Sequence, residues 1–308
     1  MKLKLFAAAL CAAAGVLFCT GCGKTKSDAD TIRIGVSIPA ADHGWTGGIV
    51  WWAEQAKKTW EKKDPNVRII ISTAKDAAEQ VDKIENLLVQ KVDALVVLPQ
   101  EPGPLTSICT KAAKQGKYLV VVDRGLTKDV QNVTVAGDNA GFGKAAADAL
   151  VKRLNGKGDI LVMEGIPCPV NSDRVNAFKA EIAKHPGMKI LESQSAYWDT
   201  EKGLNAVWVG DDDVLLGALK AWRESKRSDI KLIVGGGGGK QIVKRILDGD
   251  PVVPLTVTYP PRMIAVGVDY AVAGARKQPL TTEKRVVIPS EIVDKSNAAK
   301  FYFPDSAY

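Results

Sequence analysis

The sequence is poor in the residues that build metal centres. Only two of its 308 residues are histidine, His43 and His185, and five are cysteine. Structural and catalytic zinc sites take three or four ligands from cysteine, histidine and carboxylate at short, regular spacings. No such spacing surrounds either histidine. We therefore expect no catalytic zinc site, and the sequence calls for no other metal or cofactor.

Clustered positive charge and a membrane-spanning apolar run are also lacking. The formal net charge is +7, it falls to +5 once Lys2 and Lys4 are removed, and the remaining charges of both signs are mixed along the chain. Nucleic-acid-binding proteins usually carry a basic stripe, so we expect no nucleic acid partner. The apolar run of residues 5–18 is shorter than the roughly 20 residues that span a bilayer.

That apolar run instead has the pattern of an export signal. Lys2 and Lys4 precede it and Cys19-Thr20-Gly21-Cys22 follows it. A basic segment, an apolar core of roughly 7–15 residues and small residues at a cleavage site are typical of a removable signal peptide. The last three residues resemble a bacterial lipobox, although Cys19 stands where that motif usually has leucine.

We therefore predict a signal peptide over residues 1–21, lipidation of Cys22 and a flexible polar tether over residues 22–30. The protein is then lipid-anchored on the outer side of the cytoplasmic membrane, in the periplasm or cell envelope. A plain secretory signal cleaved nearby is the alternative. Of the cysteines that remain after cleavage, we expect Cys109 in a helix and Cys168 in a loop to be free thiols rather than a disulfide.

From Thr31 onward, apolar β-branched runs alternate with helical patterns. Strands buried on both faces read as continuous Val/Ile/Leu runs, and the helices between them cover the sheet. The pattern predicts an α/β fold with two doubly wound parallel-sheet lobes. Its strands are predicted at 32–38, 67–72, 93–99, 117–123 and 132–137 in the first series, and at 159–165, 189–195, 206–210, 230–236 and 254–260 in the second.

Unusual residues follow the carboxyl ends of these strands, which is where such sheets bind ligands. Carboxylates and guanidinium groups saturate vicinal hydroxyls with charge-assisted hydrogen bonds, and an aromatic plate suits the C–H face of a sugar. The sequence therefore predicts a site for a monosaccharide or polyol. Its candidate residues are His43, Trp45, Gln100, Asp123, Arg124, Asn171, Arg174, Trp198, Asp211 and Tyr259.

Each candidate also has a structural interpretation. Asp123 and Arg124 could form a loop salt bridge, Arg174 could lie on a solvated helix face, and Trp198 could fill a gap. The run from Asp211 to Asp213 could cap a helix at Val214, where carboxylates satisfy free amides. The five glycines at 235–239 resemble a phosphate-binding loop but lack its lysine and serine. A close-approach turn beside a ligand or hinge is favoured there.

Several segments together resemble one known family. They are VVVDR at 120–124, AGDN at 136–139, NSDRVNAF at 171–178, DTEKGL at 199–204, DDDVLLGAL at 211–219 and YPP at 259–261. Across nearly all of residues 31–308 the chain resembles periplasmic sugar-binding proteins of the ribose-binding type, the substrate-capturing subunits of bacterial ATP-binding-cassette sugar importers. The resemblance implies a monomeric type I periplasmic binding protein-like clamp, crossed three times between lobes, that delivers its sugar to a permease.

The resemblance also implies roles and boundaries. Trp45 and Trp198 match stacking aromatics, Asp123 with Arg124 a hydroxyl-binding pair, Arg174 the arginine of the second lobe, Asp211 a polar ligand contact and Tyr259 a polar hinge contact. The first lobe is expected at 31–138 plus about 260–285, and the second at 139–259 plus about 286–308.

Two departures from the family pattern affect these expectations. Gly237 replaces the aspartate of the usual glycine-phenylalanine-aspartate-glycine turn, which favours an open-chain polyol or another monosaccharide over a pentose furanose. Only ten residues separate the strands at 189–195 and 206–210, whereas neighbouring parallel strands need a crossover of about a dozen or more. We therefore expect that the second lobe lacks one helix and is marginally stable, or that one of these two segments is not the strand that its pattern indicates.

Other functional classes receive less support. An enzyme is not expected, because no nucleophile–base pair or acid pair stands at catalytic spacing. A lactose-repressor-type regulator would begin with a DNA-binding helix-turn-helix rather than an export signal. The remaining alternative is a lipid-anchored nucleoside receptor or sugar sensor on the same fold.

Overall fold

The computed structural model describes residues 31–41, 44–164, 169–195, 206–226 and 228–308. Residues 32–308 form one compact unit. Its strands are β1 (Ile32–Pro39), β2 (Val67–Ala74), β3 (Ala94–Val97), β4 (Tyr118–Val122), β5 (Val133–Gly137), β6 (Gly158–Glu164), β7 (Met188–Ser195), β8 (Ala206–Val209), β9 (Leu232–Val234), β10 (Leu255–Val257), β11 (Arg285–Ile288) and β12 (Ile292–Asp294). Its helices are α1 (Gly44–Lys63), α2 (Ala77–Val89), α3 (Pro102–Lys114), α4 (Asn139–Arg153), α5 (Pro169–Ile182), α6 (Asp212–Ser225), α7 (Lys240–Asp248) and α8 (Met263–Ala275). None of the described helices combines the length and apolar character needed to cross a bilayer.

The first lobe is built on a six-stranded parallel sheet with the order β11-β5-β4-β3-β1-β2. Its central strands are buried on both faces, as their continuous apolar runs require. Leu95 and Val97 of β3 pack with α2 and α3 on one side. Ala94 and Val96 face the opposite cluster, to which α1 and α8 contribute. Every helix of this lobe therefore covers a sheet face.

The second lobe contains a four-stranded parallel sheet with the order β7-β6-β8-β9 and an antiparallel pair, β10 with β12. One sheet face packs on α4 and α5, where the rings of Trp208 and Phe178 stack with centroids 3.9 Å apart and planes 3° apart. The other face packs on α6 and α7 through residues such as Val207 and Val209. The predicted fold class of two parallel-sheet lobes is confirmed.

The order of the second sheet corrects the argument about the short crossover. β6 lies between β7 and β8, so these two strands are not neighbours. The connection itself, residues 196–205, lies outside the described residues, and the missing helix stays a prediction. On the sheet face that packs on α6 and α7, Leu161 of β6 and Leu191 of β7 are half-buried, whereas Val207 and Val209 of β8 are buried. Helices therefore cover this face less completely at β6 and β7 than at β8.

Three chain crossings lie side by side between the lobes. The amide of Asp138, after β5, donates to the carbonyl of Ile288, and the Ser290 hydroxyl donates to the carbonyl of Asp138. The amide of Thr258, after β10, donates to the carbonyl of Glu291. Because β11 belongs to the first sheet and β12 pairs with β10, the last crossing falls between Ile288 and Ile292, slightly later than the predicted boundary near 286.

Gly143 sets how closely α4 and α5 approach, and we predict that it tolerates no side chain. A Cβ at Gly143 would collide with the backbone carbonyl oxygen of Arg174. Overpacking of this kind costs typically 1–3 kcal/mol, so Gly143→Ala should lower the free energy of unfolding by about that amount in urea titrations.

The matched control is Gly217→Ala, because Gly217 is an exposed helical glycine of the same lobe with open space around its Cβ position. Replacing it should raise stability by roughly 0.5–1 kcal/mol, the helix propensity gain of alanine over glycine. Equal changes in the free energy of unfolding for the two variants would show that the close contact between α4 and α5 does not require glycine at position 143.

Candidate functional site

Asp123 lies directly after β4 with its carboxylate buried at the meeting point of the lobes. Its backbone is left-handed, with φ at 62°. The Tyr259 hydroxyl donates to its Oδ1 at 2.5 Å, and the Arg124 Nε lies 3.8 Å from its Oδ2. Burial raises the pKa of Asp123, while the Tyr259 hydrogen bond and the charges of Arg124 and Arg174 act in the opposite direction.

Arg174 reaches the same point from α5 of the second lobe. Its guanidinium lies 4.3 Å from the ring centroids of both Phe142 and Tyr259. Its Nε donates to Asn139 Oδ1 and its Nη1 to the carbonyl of Gly210, each at 2.9 Å. Arg174 is only 8 % exposed, so its interpretation as a residue of a solvated helix face is wrong.

Trp45 is the second residue of α1 in the first lobe and contacts the hinge. Its indole Nε1 donates to the carbonyl of Tyr259 at 3.0 Å, and the two ring centroids are 5.9 Å apart. The Tyr259 ring covers Gly137, where a Cβ would collide with it. Tyr259 therefore contacts predicted site residues from both lobes. We call the group of Trp45, Asp123, Arg174 and Tyr259 the Tyr259 cluster.

Arg124 connects this cluster to Gln100. Its Nη1 donates to the carbonyl of Gln100 at 2.8 Å. The amide of Gln100 in turn donates to Oε1 of the buried Gln80. The side-chain Oε1 of Gln100 is buried without a hydrogen-bond partner among the described residues. A buried acceptor left unpaired is costly, so this oxygen is suited to a donor supplied by a ligand.

Asn171 lies elsewhere on α5, three residues before Arg174. Its Nδ2 is 3.5 Å from Glu164 Oε2, and Glu164 also accepts from Ser193 at 2.5 Å and from Lys179 at 3.1 Å. These hydrogen bonds, led by that of Ser193, hold the pKa of Glu164 below its usual range. Through its hydrogen bond Asn171 contacts Glu164 at the end of β6, within its own lobe.

Asp211 and Asp212 have different structural roles at the start of α6. Asp211 is the N-cap, and its side chain accepts from the amide of Asp213 at 2.8 Å, so the capping interpretation is correct for it. Asp212 is buried and accepts from the amides of Gly238 and Gly239 at 2.9 and 2.7 Å, and from the Thr256 hydroxyl.

The glycine run at 235–239 is a close-approach turn. The Phe142 ring occupies the space where Gly236 would carry a side chain. Gly237 and Gly238 have φ values of 131° and 85°, which favour glycine. Because the Asp212 carboxylate already accepts from two of its amides, the turn is not arranged to receive a phosphate.

The remaining predicted site residues, His43 and Trp198, lie outside the described residues, as do Cys22 and Cys168. Cys109 is a buried free thiol in α3, and burial raises its pKa to about 12. The described residues contain no group of three or more histidine, cysteine or acidic side chains placed to hold a metal ion. A cavity of about 340 Å³ at the hinge, beside Trp52 and Pro260, is lined by Tyr308 but not by the Tyr259 cluster.

Four residues of this region are not among the site residues predicted from the sequence: Asn139, Phe142, Asp212 and Tyr308. Asn139 was visible in the AGDN segment but was not assigned a contact. Phe142 looked like an ordinary helix residue, and Asp212 stood in a run of three aspartates in which nothing distinguished the buried one. Their positions depend on contacts between residues distant in the chain.

The sequence and the fold are similar to those of known proteins. The profile of the "Periplasmic binding protein domain" family matches residues 34–279. The chain belongs to that family. It is a substrate-binding protein, and the family implies a location outside the cytoplasm.

Characterised relatives are binding proteins by name. The xylitol-binding protein of Mycolicibacterium smegmatis is 28% identical in an alignment of 268 residues that covers 81% of this chain and 74% of the relative. The ribose import binding protein of Bacillus subtilis is 29% identical over 66% of this chain and 70% of its own length. The galactofuranose-binding protein of Escherichia coli is 25% identical over 90% of this chain and 89% of its own length.

Solved structures share the fold. A solute-binding protein of an ABC transporter from Mycobacterium smegmatis, with bound glycerol, superposes with a TM-score of 0.74 at 23% identity, covering 90% of this chain and 98% of the other. One from Actinobacillus succinogenes, with bound D-allose, gives 0.75 at 21% identity and covers 88% and 100%.

We predict that Asp212 makes stability depend on pH. Burial raises its pKa to about 7, against the hydrogen bonds from Gly239, Thr256 and Gly238. A carboxyl whose pKa is higher in the folded state stabilises the protein fully below its unfolded pKa near 4, and this contribution is lost as the pH rises to about 7. Urea unfolding should show a contribution of order 4 kcal/mol across that range.

Asp212→Asn should remove this contribution, and the exposed Asp173→Asn on α5 is the control that should leave it intact. The measured quantity is the difference between variant and parent in the free energy of unfolding at pH 4.5, 5.5, 6.5 and 7.5. Parallel curves for parent and Asp212→Asn would contradict the prediction.

Proposed function

We propose that the protein captures a neutral monosaccharide or polyol between its two lobes and delivers it to the permease of an ATP-binding-cassette importer. The observation that carries the proposal is the Tyr259 cluster. In it Asp123 and Trp45 of the first lobe and Arg174 of the second all contact Tyr259 at the crossings between the lobes. The names of the relatives, which include xylitol-, ribose- and galactofuranose-binding proteins, point to the same ligand class.

The chemistry of the cluster suits hydroxyl groups. Each ligand hydroxyl donates one hydrogen bond and accepts others, so it can pair with the Asp123 carboxylate as donor and with Arg124 or Arg174 as acceptor. Hydrogen bonds to charged groups contribute about 1.5–3 kcal/mol each. Trp45, which is 7 % exposed and packs on the Tyr259 ring, is the aromatic side chain that the proposal places against C–H groups of the ligand. A ligand that contacts both lobes favours their association, because it binds that arrangement better than the separated one.

The glycine at position 237 guides the choice within this class. It leaves no carboxylate on the turn after β9, and the relatives bind open-chain as well as cyclic ligands by name. We therefore favour a polyol or a monosaccharide other than a pentose furanose. The relatives are binding proteins by name, so the proposed role is binding without turnover. A nucleoside receptor or sugar sensor on the same fold is the alternative.

The proposal predicts that the body of the protein, from about Ser27 onward, binds a member of a panel of xylitol, glycerol, myo-inositol, D-ribose and D-allose in isothermal titration calorimetry. Arg124→Ala and Arg174→Ala should each weaken binding by tenfold or more, since each removes a charged donor worth about 1.5–3 kcal/mol. Recovery of unchanged ligand after incubation checks that no turnover occurs.

The matched control is Arg68→Ala, because Arg68 is an exposed arginine of β2 that donates to its neighbouring carbonyl, Val67. It should leave affinity unchanged. Binding of a purine nucleoside with no binding of any sugar or polyol would favour the alternative receptor. Unchanged affinity in both arginine variants would place the ligand elsewhere.

The proposal extends to a lipid anchor at Cys22. Expressed in a bacterium with labelled palmitate, the full chain should carry the label and sediment with membranes. Cys22→Ser should abolish both the label and the sedimentation, because it removes the thiol that receives the lipid. Cys19→Ser is the control and should leave both intact. Membrane sedimentation of an unlabelled Cys22→Ser protein would show that another feature holds it there.

A further inference from the structure

Tyr308 is a buried tyrosine to which the sequence assigned no role. It is 7 % exposed. Its hydroxyl oxygen is inaccessible to solvent and has no hydrogen-bond partner among the described residues. Buried hydroxyls are normally paired, and a buried one without a partner calls for an explanation.

The Tyr308 ring lies between the two lobes. On the side of the first lobe, a Cβ added to Gly44 at the start of α1 would meet the ring, and one added to Gly48 would meet the Tyr308 Cβ. On the side of the second lobe, Cβ atoms added to Gly237 and Gly239 would meet the ring. Tyr308 thus contacts the same helix start that carries Trp45 and the same glycine turn that Asp212 holds.

Neighbouring contacts fix the segment that carries Tyr308 on both lobes. The Phe303 ring packs on Trp52, with centroids 5.2 Å apart, and on Trp51. From α7 of the second lobe, Lys240 Nζ donates to the carbonyl of Pro304 at 3.3 Å and also to that of Ser306. The Tyr308 amide donates to Ser306 Oγ at 3.2 Å. The ring is therefore held in place rather than lying loosely against the surface.

The Tyr308 hydroxyl occupies the space that Gly237 leaves by having no side chain. A Cβ on Gly237 would collide with this oxygen, and the same Cβ position lies 3.7 Å from Asp212 Oδ2. Burial raises the pKa of Tyr308 well above its usual value. The nearby carboxylates of Asp212, Asp211 and Asp213 raise it further, with effects that decrease in that order, and Arg174 acts in the opposite direction. The hydroxyl therefore keeps its proton and remains a hydrogen-bond donor.

We propose that Tyr308 is a further ligand-contacting residue, whose hydroxyl bonds a hydroxyl group of the sugar or polyol on the second-lobe side of the cleft in place of a side chain at position 237. This inference rests on the proposed function. One phenol hydroxyl donates once and accepts, whereas a carboxylate there would only accept. A tyrosine hydroxyl in place of a carboxylate therefore favours a ligand that presents an acceptor oxygen to this position.

Tyr308→Phe tests the inference, because it removes only the hydroxyl. With xylitol and D-ribose as ligands in calorimetry, it should weaken the binding that the parent protein shows by about tenfold, equivalent to ~1.4 kcal/mol. Without ligand, its melting temperature should be unchanged or higher, since the hydroxyl it loses had no partner. Tyr302→Phe, a half-buried tyrosine of the same segment, is the matched control and should leave affinity unchanged.

The outcomes separate this inference from the proposed function. If Arg124→Ala loses affinity but Tyr308→Phe binds as tightly as the parent, the role of Tyr308 is overturned and the proposed function stands. A lower melting temperature of ligand-free Tyr308→Phe with unchanged affinity shows a purely structural tyrosine and overturns the inference as well. If the parent protein binds neither probe nor any other member of the panel, the proposed function fails and the role of Tyr308 fails with it.

Discussion

The arrangement of the hinge depends on the buried carboxylate of Asp123. A carboxylate removed from water is tolerated only when hydrogen bonds and opposite charge compensate it. Here its main partner, the Tyr259 hydroxyl, comes from the crossing that follows β10, and a compensating charge comes from Arg174 on α5. Both partners are distant in the chain, so the two lobes must meet for the carboxylate to be satisfied. The positions of Trp45 and Asn139 follow, because each contacts Tyr259 or Arg174.

Glycines make this meeting sterically possible. At three of them an aromatic side chain occupies the space that a Cβ would need: the Tyr259 ring at Gly137, the Phe142 ring at Gly236 and the Tyr308 hydroxyl at Gly237. Each aromatic side chain comes from a different element. Arg174 then lies between the Phe142 and Tyr259 rings, where cation–π attraction in a site shielded from water contributes up to about 2 kcal/mol. Small residues at the end of β5 and in the turn after β9 thus leave room for large side chains from other segments.

The sequence predicted the elements better than their contacts. Continuous apolar runs located the strands from β1 to β10 because burial on both faces leaves a local pattern. α8 and β11 were not located individually, since their stretch was assigned to a lobe only through the resemblance. Among site residues, Asp123, Arg124, Arg174 and Tyr259 were found because they follow strand ends. Asn139 and Tyr308 were missed because only the fold brings their side chains to the hinge. The sheet order that separates β7 from β8 by β6 is equally invisible to local patterns.

Ligand affinity in such a hinge is set by what the protein cannot satisfy by itself. Asp123, Arg124 and Arg174 already have protein partners, but a guanidinium has about five donors and a carboxylate about four acceptor positions, so each still offers a ligand hydroxyl an unused position. Gln100 Oε1 and Tyr308 Oη are buried with no partner in the described residues, and a ligand that pairs them removes an existing penalty. One is an acceptor and the other also a donor, which a hydroxyl group matches in both directions. A ligand hydroxyl that reaches either atom can pair it, whereas an apolar group leaves it unpaired.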